Sequence, residues 1–183
     1  MKGCIFISGL ISGFLTSGFI LPAHSQVTSD GTTNTTVRQS GNNFEILKGI
    51  HKGNNLFHSF KEFSIPPGSS TTFNNSTNVV NIINRVTGGN LSNIGGLIKA
   101  NENANLFLIN PAGIVFGENS SLNIGGSFFA TTADSIVFPD NIEFSATNTN
   151  EPLLLTVNVP IGIQFGSTAA TIINRSQTYS NPN

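Results

Sequence analysis

Short runs of apolar and β-branched residues alternate with clusters of Gly, Asn, Pro and Ser along the chain after residue 25. Runs of this length between turn-forming residues are typical of short β-strands joined by tight turns. None has the spacing of three and four residues that marks an amphipathic helix. The pattern predicts an almost entirely β-structured domain, with strands at 71–73, 78–83, 96–100, 105–109, 113–116, 127–131 and 153–159.

The N-terminus has the layout of a secretory signal peptide. A lysine follows the initiator methionine, an apolar stretch occupies residues 4–21, and Ala23 and Ser25 stand at the small-residue positions of a cleavage site. A retained membrane anchor is the alternative, because the stretch approaches the ~18 residues that span a bilayer. Gly, Ser and Thr dilute it, so we expect cleavage after Ser25. That cleavage would remove the single cysteine, Cys4, and leave residues 26–183 as one domain.

Similar short sequences return along the chain without a common period, as 93–96 and 123–126, 113–117 and 162–166, and 83–85 and 173–175. We interpret them as coils of related shape but variable length, as in a parallel β-helix. Stacked coils place each residue ~4.8 Å above its counterpart, so the abundant Asn side chains can form hydrogen-bonded ladders. Composition favours a β-helix, and a β-sandwich remains the alternative.

Charge is scarce, with 8 Lys and Arg against 9 Asp and Glu and a net charge of −1. This balance does not favour nucleic acid or an anionic membrane as a partner, since both need clustered basic residues. His51 and His58 lack nearby groups that would complete a zinc site or orient a general base, so we expect surface or half-buried histidines. Asp140 and Glu143 are expected in a solvated loop. We therefore expect no enzyme activity, no cofactor and no metal.

The most specific stretch is 105–117, which predicts a strand, a tight turn and a second strand. Pro111 fixes φ at about −65° and biases Asn110 towards extended geometry, while Gly113 permits positive φ at the exit of the turn. The stretch resembles the Asn-Pro-Asn-Gly-Ile motif of the filamentous haemagglutinin N-terminal domain, the carrier domain of two-partner secretion. Here Ala112 stands in place of the second Asn, before Gly113 and Ile114.

The resemblance extends in order over residues 26–175. Residues 54–65, with Phe57, Phe60 and Phe63, followed by 73–75 are similar to the opening of the family, and three later segments resemble versions in large cyanobacterial exoproteins, namely 82–89, 122–132 and 159–166. The Asn-Pro-Asn-Leu tetrapeptide of the family has no counterpart here.

The resemblance implies an all-β fold, a right-handed parallel β-helix with an N-terminal cap near residues 26–60 and short extra-helical strands. It also implies export through the periplasm of a Gram-negative-type envelope to the cell surface or medium. The implied partner is an outer-membrane β-barrel transporter with periplasmic domains, without stable membrane insertion of the chain. The implied recognition residues, which shaping of the fold would equally explain, are Asn110, Pro111, Ala112, Gly113 and Ile114, with Phe57, Phe60 and Phe63 as cap or recognition aromatics.

Members of this family usually stand at the front of much longer proteins, so we expect a truncated chain. Missing downstream regions would then carry any contact with a surface polysaccharide or host ligand. The alternative function is a surface adhesin or sheath protein that binds polysaccharide directly, which a solvent-exposed aromatic row along one face would favour; the sequence shows no such row. An enzyme acting on polysaccharide ranks third and would need paired carboxylates in a cleft.

Overall fold

The structure is a computed structural model that describes residues 27–101, 103–149 and 155–177. The predicted signal peptide, residues 1–25, lies outside these residues. The described part consists of strands without helices, which confirms the all-β prediction, and accordingly offers no helix that could cross a membrane. The strands are β1 Val27–Ser29, β2 Thr36–Ser40, β3 Asn43–Leu47, β4 Ile50–Lys52, β5 Asn55–Phe63, β6 Ser70–Phe73, β7 Asn81–Val86, β8 Ser92–Ile94, β9 Leu97–Ala100, β10 Asn105–Ile109, β11 Ile114–Phe116, β12 Ser121–Asn123, β13 Phe128–Thr131, β14 Ser135–Val137, β15 Glu143–Ser145, β16 Gly162–Gln164 and β17 Ile172–Asn174.

Successive coils stack in parallel to form a solenoid with three faces. Face A has the strand order β1-β5-β7-β10-β13, face B the order β12-β9-β6-β3-β2, and face C the order β17-β11-β8. The second coil runs through β7, β8 and β9, and the third through β10, β11 and β12. In the first coil, between β5 and β6, Ile65 alone bridges to Ile94 on face C. The predicted parallel β-helix is thus confirmed.

Asparagines mark the true repeat of the coils. Asn55 pairs with Asn81 and Asn81 with Asn105 on face A, and hydrogen bonds along this corner join residues 26, 24 and 22 positions apart. The similar sequences seen along the chain do not coincide with this repeat. Residues 83–85 lie on face A, for example, whereas Ile173 and Asn174 lie on face C. The interpretation of those segments as equivalent coils was therefore wrong, although the fold it favoured is right.

The cap comprises β1 to β4 and ends at Lys52, earlier than the predicted region of 26–60, because β5 already belongs to the first coil. β1 and β4 pair antiparallel with β5, while the β2–β3 hairpin adds to face B through parallel pairing of β3 with β6. Val27, Phe44 and Ile46 of the cap are buried. The cap therefore closes the N-terminal end of the solenoid core.

The central strands of face A, β5, β7 and β10, are largely buried on both sides. Leu56, Ile82 and Leu106 point into the solenoid core, whereas Phe57, Ile83 and Ile109 belong to a second core outside it. Strands buried on both faces read as continuous apolar runs instead of alternating ones. This is why segments such as Asn105–Ile109 are so uniformly apolar.

The second core is covered by the segment between β13 and β17, which we call the insertion. Its strands form an antiparallel sheet in the order β15-β14-β16, which are the extra-helical strands expected. Asp140 and Glu143 are exposed here, as expected, but only Asp140 lies in a loop; the predicted loop is wrong for Glu143, which begins β15. The predicted strand at 153–159 is not formed in its described part, residues 155–159, because the carbonyls of Thr156 and Asn158 bond to the Asn55 side chain instead of a neighbouring strand.

Candidate functional site

The Asn110 side chain is fully buried and fastens the turn between β10 and β11 to the preceding coil. Its Nδ2 donates to the Asn90 carbonyl at 2.9 Å and to Ser92 Oγ at 2.8 Å. Its Oδ1 accepts from the Ala112 N–H at 3.0 Å, and its own carbonyl accepts from the Gly113 N–H at 3.0 Å. The predicted strand–turn–strand is present, and the side-chain amide of Asn110 is engaged in the hydrogen bonds that hold the turn in place.

Gly113 completes the turn with φ of 114°, which confirms the predicted positive φ. A Cβ at this position would lie 2.7 Å from a methyl carbon of Leu91 and 3.2 Å from the Thr171 carbonyl oxygen. Glycine is favoured at this corner chiefly because L side chains rarely adopt this φ. Ile114 follows as a fully buried core residue, while Pro111 and Ala112 are half-buried. Of the five motif residues, these two are the ones that solvent reaches most.

Phe57, Phe60 and Phe63 are all buried, but they do not form one group. Phe57 points out of the solenoid and packs against Phe144 of the insertion, with ring centroids 5.2 Å apart. Phe60 and Phe63 point inward, 5.0 Å apart, because an irregularity opposite Thr28 and Ser29 shifts the register between them. In the folded domain a partner protein reaches none of these rings.

His58 is buried, so the expectation of a surface or half-buried side chain was wrong for this residue. Its ring lies 5.6 Å from Phe73 between centroids, and its Nδ1 is 3.0 Å from Thr35 Oγ1 in the cap. Burial lowers the pKa of His58 to about 3, so the ring is neutral at neutral pH. His51 is exposed, as expected.

Buried Arg85 and half-buried Asp30 form a polar cluster that the sequence patterns did not indicate. Arg85 Nε donates to Ser59 Oγ at 2.7 Å, and the Ser59 hydroxyl donates to Asp30. Arg85 also donates to Thr32 Oγ1 and to the Ser145 carbonyl, and its Cζ lies 4.6 Å from the centroid of the Phe144 ring. Arg85 was the one available signal, as the single charged residue of the buried strand Asn81–Val86, since a buried charge needs partners.

Hydrogen bonds favour the charged form of Asp30, and the charge of Asp30 favours the charged form of Arg85. Burial acts to raise the pKa of Asp30, but hydrogen bonds from Ser59, Thr32 and Thr87 outweigh it and hold that pKa below its ordinary value. Burial lowers the pKa of Arg85, and the nearby Asp30 carboxylate partly offsets this effect. The cluster thus holds charge in place between the cap, the coils and the insertion.

Chemistry-bearing groups are dispersed over the rest of the described chain. In those ranges, no three His, Asp or Glu side chains gather closely enough to hold a metal ion. Asp140 accepts from Thr156 Oγ1 at 2.8 Å and Glu143 from Ser135 Oγ at 2.7 Å, so each has a separate hydroxyl partner.

Residues 25–181 match the family of TPS secretion domains, the carrier domains of two-partner secretion. The chain belongs to this family. Its fold is that of the crystal structure of the HMW1 secretion domain from Haemophilus influenzae, with a TM-score of 0.52 and 23% identity over 82% of this chain. It is also 37% identical over 73 residues to a heme/hemopexin-binding protein of Haemophilus influenzae. The cyanobacterial type and the domain boundaries at 26 and 183 stay predictions.

Both relatives are much longer than the matched region. The match spans 34% of the HMW1 secretion-domain chain and 7% of the heme/hemopexin-binding protein. Members of the family are non-enzymatic carriers in two-partner secretion, and they leave the cell through an outer-membrane transporter. The family therefore implies a transporter as partner.

Proposed function

We propose that this domain directs its own export by binding the periplasmic domains of an outer-membrane β-barrel transporter, and that it reaches the cell surface or medium without catalysing a reaction. The match of residues 25–181 to TPS secretion domains carries this proposal. Direct binding of polysaccharide would be favoured by a row of exposed aromatic rings along one face. The exposed aromatic rings of the described residues are Phe129, in β13, and Phe165, just after β16. Two rings on different strands do not form such a row, so this alternative is not favoured.

The physical route is pairing of strands. An exposed extended segment can add to the edge of a sheet in the transporter through main-chain hydrogen bonds, which need no charge. The scarcity of charge in this chain suits that mode. Outside the cell, each coil that folds buries apolar side chains such as Ile82, Leu106 and Ile114, so folding favours outward movement.

Within this function, the Asn110–Ile114 turn acts by shaping the solenoid. Asn110 is fully buried and Gly113 is a buried residue without a side chain, so neither offers a surface to a partner once folded. We assign Phe57, Phe60 and Phe63 the same structural role on the ground of their burial.

Secretion with the partner transporter tests this function. Co-expression should deliver the wild-type chain to the medium or cell surface, whereas accumulation in the periplasm beside an active transporter would refute the proposal.

Asn110→Ala should reduce both export and melting temperature, because it leaves the Asn90 carbonyl and the Ser92 hydroxyl without their donor, at a cost of about 2–4 kcal/mol. Ala112→Asn, which restores the usual residue of the family, is the control and should preserve both. Loss of export by Asn110→Ala with unchanged circular dichroism and melting would instead assign Asn110 to direct recognition.

A further inference from the structure

Asp30 and Gly31, in the loop between β1 and β2, form the one place in the chain where Asp or Asn is followed by glycine. In such a pair the main-chain nitrogen of glycine can attack the side-chain carboxyl carbon of the preceding residue, because glycine has no Cβ to shield that nitrogen. The nitrogen lone pair forms the new C–N bond, the nitrogen loses its proton, and one carboxyl oxygen leaves as water. The product is a five-membered succinimide ring, so this pair is a candidate site of spontaneous modification.

Hydrolysis of the ring gives two products. Water adds to either of the two ring carbonyls and the C–N bond of that carbonyl breaks, which returns aspartate in one case and yields isoaspartate in the other. In isoaspartate the main chain runs through the former side-chain carbon, so it gains one carbon atom and about 1.5 Å of covalent path. Its carboxylate is attached directly to Cα. The modification therefore changes both the length of the loop and the reach of its charge.

The fold holds the Asp30 carboxylate by four hydrogen bonds. Oδ1 accepts from the Thr32 N–H at 2.9 Å and from Thr32 Oγ1 at 2.8 Å. Oδ2 accepts from the Ser59 hydroxyl and from Thr87 Oγ1 at 3.0 Å. Burial acts to raise the pKa of Asp30, but these bonds hold that pKa below its ordinary value. Since ring closure releases water from the protonated carboxyl, the folded chain keeps this group in its unreactive form.

The main chain of the loop is fixed on both sides of the reactive pair. The Gly31 N–H donates to Ser29 Oγ at 3.1 Å. The Asp30 N–H donates to the Ser59 carbonyl at 3.3 Å, and Thr33 Oγ1 accepts from the Ser59 N–H at 2.8 Å. Both of these anchors belong to one residue of β5, so an extra carbon atom in the main chain between them displaces at least one of the two bonds.

We propose that Asp30 is a site of spontaneous isomerisation in the unfolded chain, that the folded cap protects it, and that a chain with isoaspartate at this position does not close its cap. The coils that follow keep all of their contacts. This chemistry does not require export. Under the proposed export route the coils fold outside the cell, so the pair is unprotected while the chain is in the periplasm; this consequence alone rests on the proposed function.

Ageing of the chain at pH 6 and 37 °C, with and without guanidinium chloride, tests the protection. Peptide mapping by electron-transfer mass spectrometry should show isoaspartate at Asp30 forming roughly tenfold faster or more in the unfolded sample, because the folded chain reacts only through rare openings. Gly31→Ala is the matched variant and should slow the reaction in denaturant, where the φ of 84° that Gly31 has in the fold exerts no influence. Equal rates in the two samples, or an unfolded rate that Gly31→Ala leaves unchanged, would overturn the proposal.

Refolding of the aged chain tests the effect on the cap. The Ser59 amide reports closure, because Thr33 Oγ1 accepts its proton. Chains with isoaspartate at position 30, separated by reversed-phase chromatography before refolding, should exchange this amide faster than unmodified chains, while the Leu106 amide in the third coil stays protected in both.

Chains modified at Asn119 are the internal control. Asn119 is exposed and precedes a serine, and it undergoes the same ring closure with loss of ammonia. These chains should refold with a protected Ser59 amide. If isoaspartate at position 30 leaves the Ser59 amide as protected as in the unmodified chain, the proposal is overturned. Neither experiment contains a transporter, so the export function stands or falls separately.

Discussion

Local sequence determines the turn at Asn110, whereas a contact between distant parts of the chain determines the burial of His58. The shape of the turn is local, since Pro111, Gly113 and the hydrogen bond that Asn110 Oδ1 accepts from the Ala112 N–H lie within four residues, and it could be predicted from the sequence. His58 is buried because β5 lies beneath the cap, and its partner Thr35 is 23 residues away. Local spacing carries no information about that contact. The candidate motif was therefore predictable as a shape, but the burial that limits its role was not.

His58 should make the stability of the domain depend on pH. Its pKa is about 3 in the folded chain, against an ordinary value of 6.5. The unfolded chain therefore takes up a proton near pH 6.5 while the folded chain does not, so stability is complete above that pH and falls as the pH drops towards 3. At pH 5 we expect a loss of about 2 kcal/mol from this side chain. Urea unfolding at pH 7.5 and pH 5 measures the difference.

A neutral replacement identifies the residue responsible. His58→Gln should flatten the change in unfolding free energy between these two pH values, whereas His51→Gln, at an exposed position, should leave it as in the wild type. If His58→Gln loses as much stability as the wild type on acidification, the dependence comes from another group.

Among the elements, the asparagine ladder of face A sets the register of the coils. Asn81 Nδ2 donates to Asn55 Oδ1 at 2.9 Å, and Asn105 Nδ2 donates to Asn81 Oδ1 at 3.0 Å. Asn105 Oδ1 then accepts from the Ser127 N–H at 2.9 Å. Composition predicted such ladders, because Asn is abundant and charge is scarce. It could not place them, because the coils shorten from one to the next and the most similar sequences lie on different faces.

Removal of one rung tests the ladder. Asn81→Ala leaves buried Asn55 Oδ1 and half-buried Asn105 Nδ2 without a partner, so we expect about 2 kcal/mol of destabilisation in urea. Asn74→Ala is the matched control, because Asn74 makes a similar contact with Asn101 at 3.2 Å on the surface, where water replaces it. Its effect should stay under about 0.5 kcal/mol. Equal effects of the two substitutions would show that the buried ladder has no special weight.

Over the whole molecule, Arg85 joins parts that are distant in the sequence. It belongs to the second coil, yet it bonds to Thr32 of the cap, 53 residues away, and to Ser145 of the insertion, 60 residues away. The resemblance alone implied the extra-helical strands, whereas local strand patterns predicted coil strands such as β6, β9, β10 and β13. These patterns could not predict how the insertion returns over face A, because that path depends on these few long-range contacts.

Arg85→Lys should therefore loosen the cap and the insertion together. Lysine keeps the charge but lacks the planar fork that serves Ser59, Thr32 and Ser145 at once, so we expect about 2–4 kcal/mol of destabilisation. Hydrogen exchange should become faster both in β1 and in β15. Arg38→Lys is the matched control, because Arg38 makes one exposed ion pair with Glu45 at 3.1 Å and such pairs contribute little. Faster exchange in the cap alone would contradict this prediction. It would mean that packing of Phe144, and not Arg85, holds the insertion against face A, and that the cap and the insertion open independently of each other.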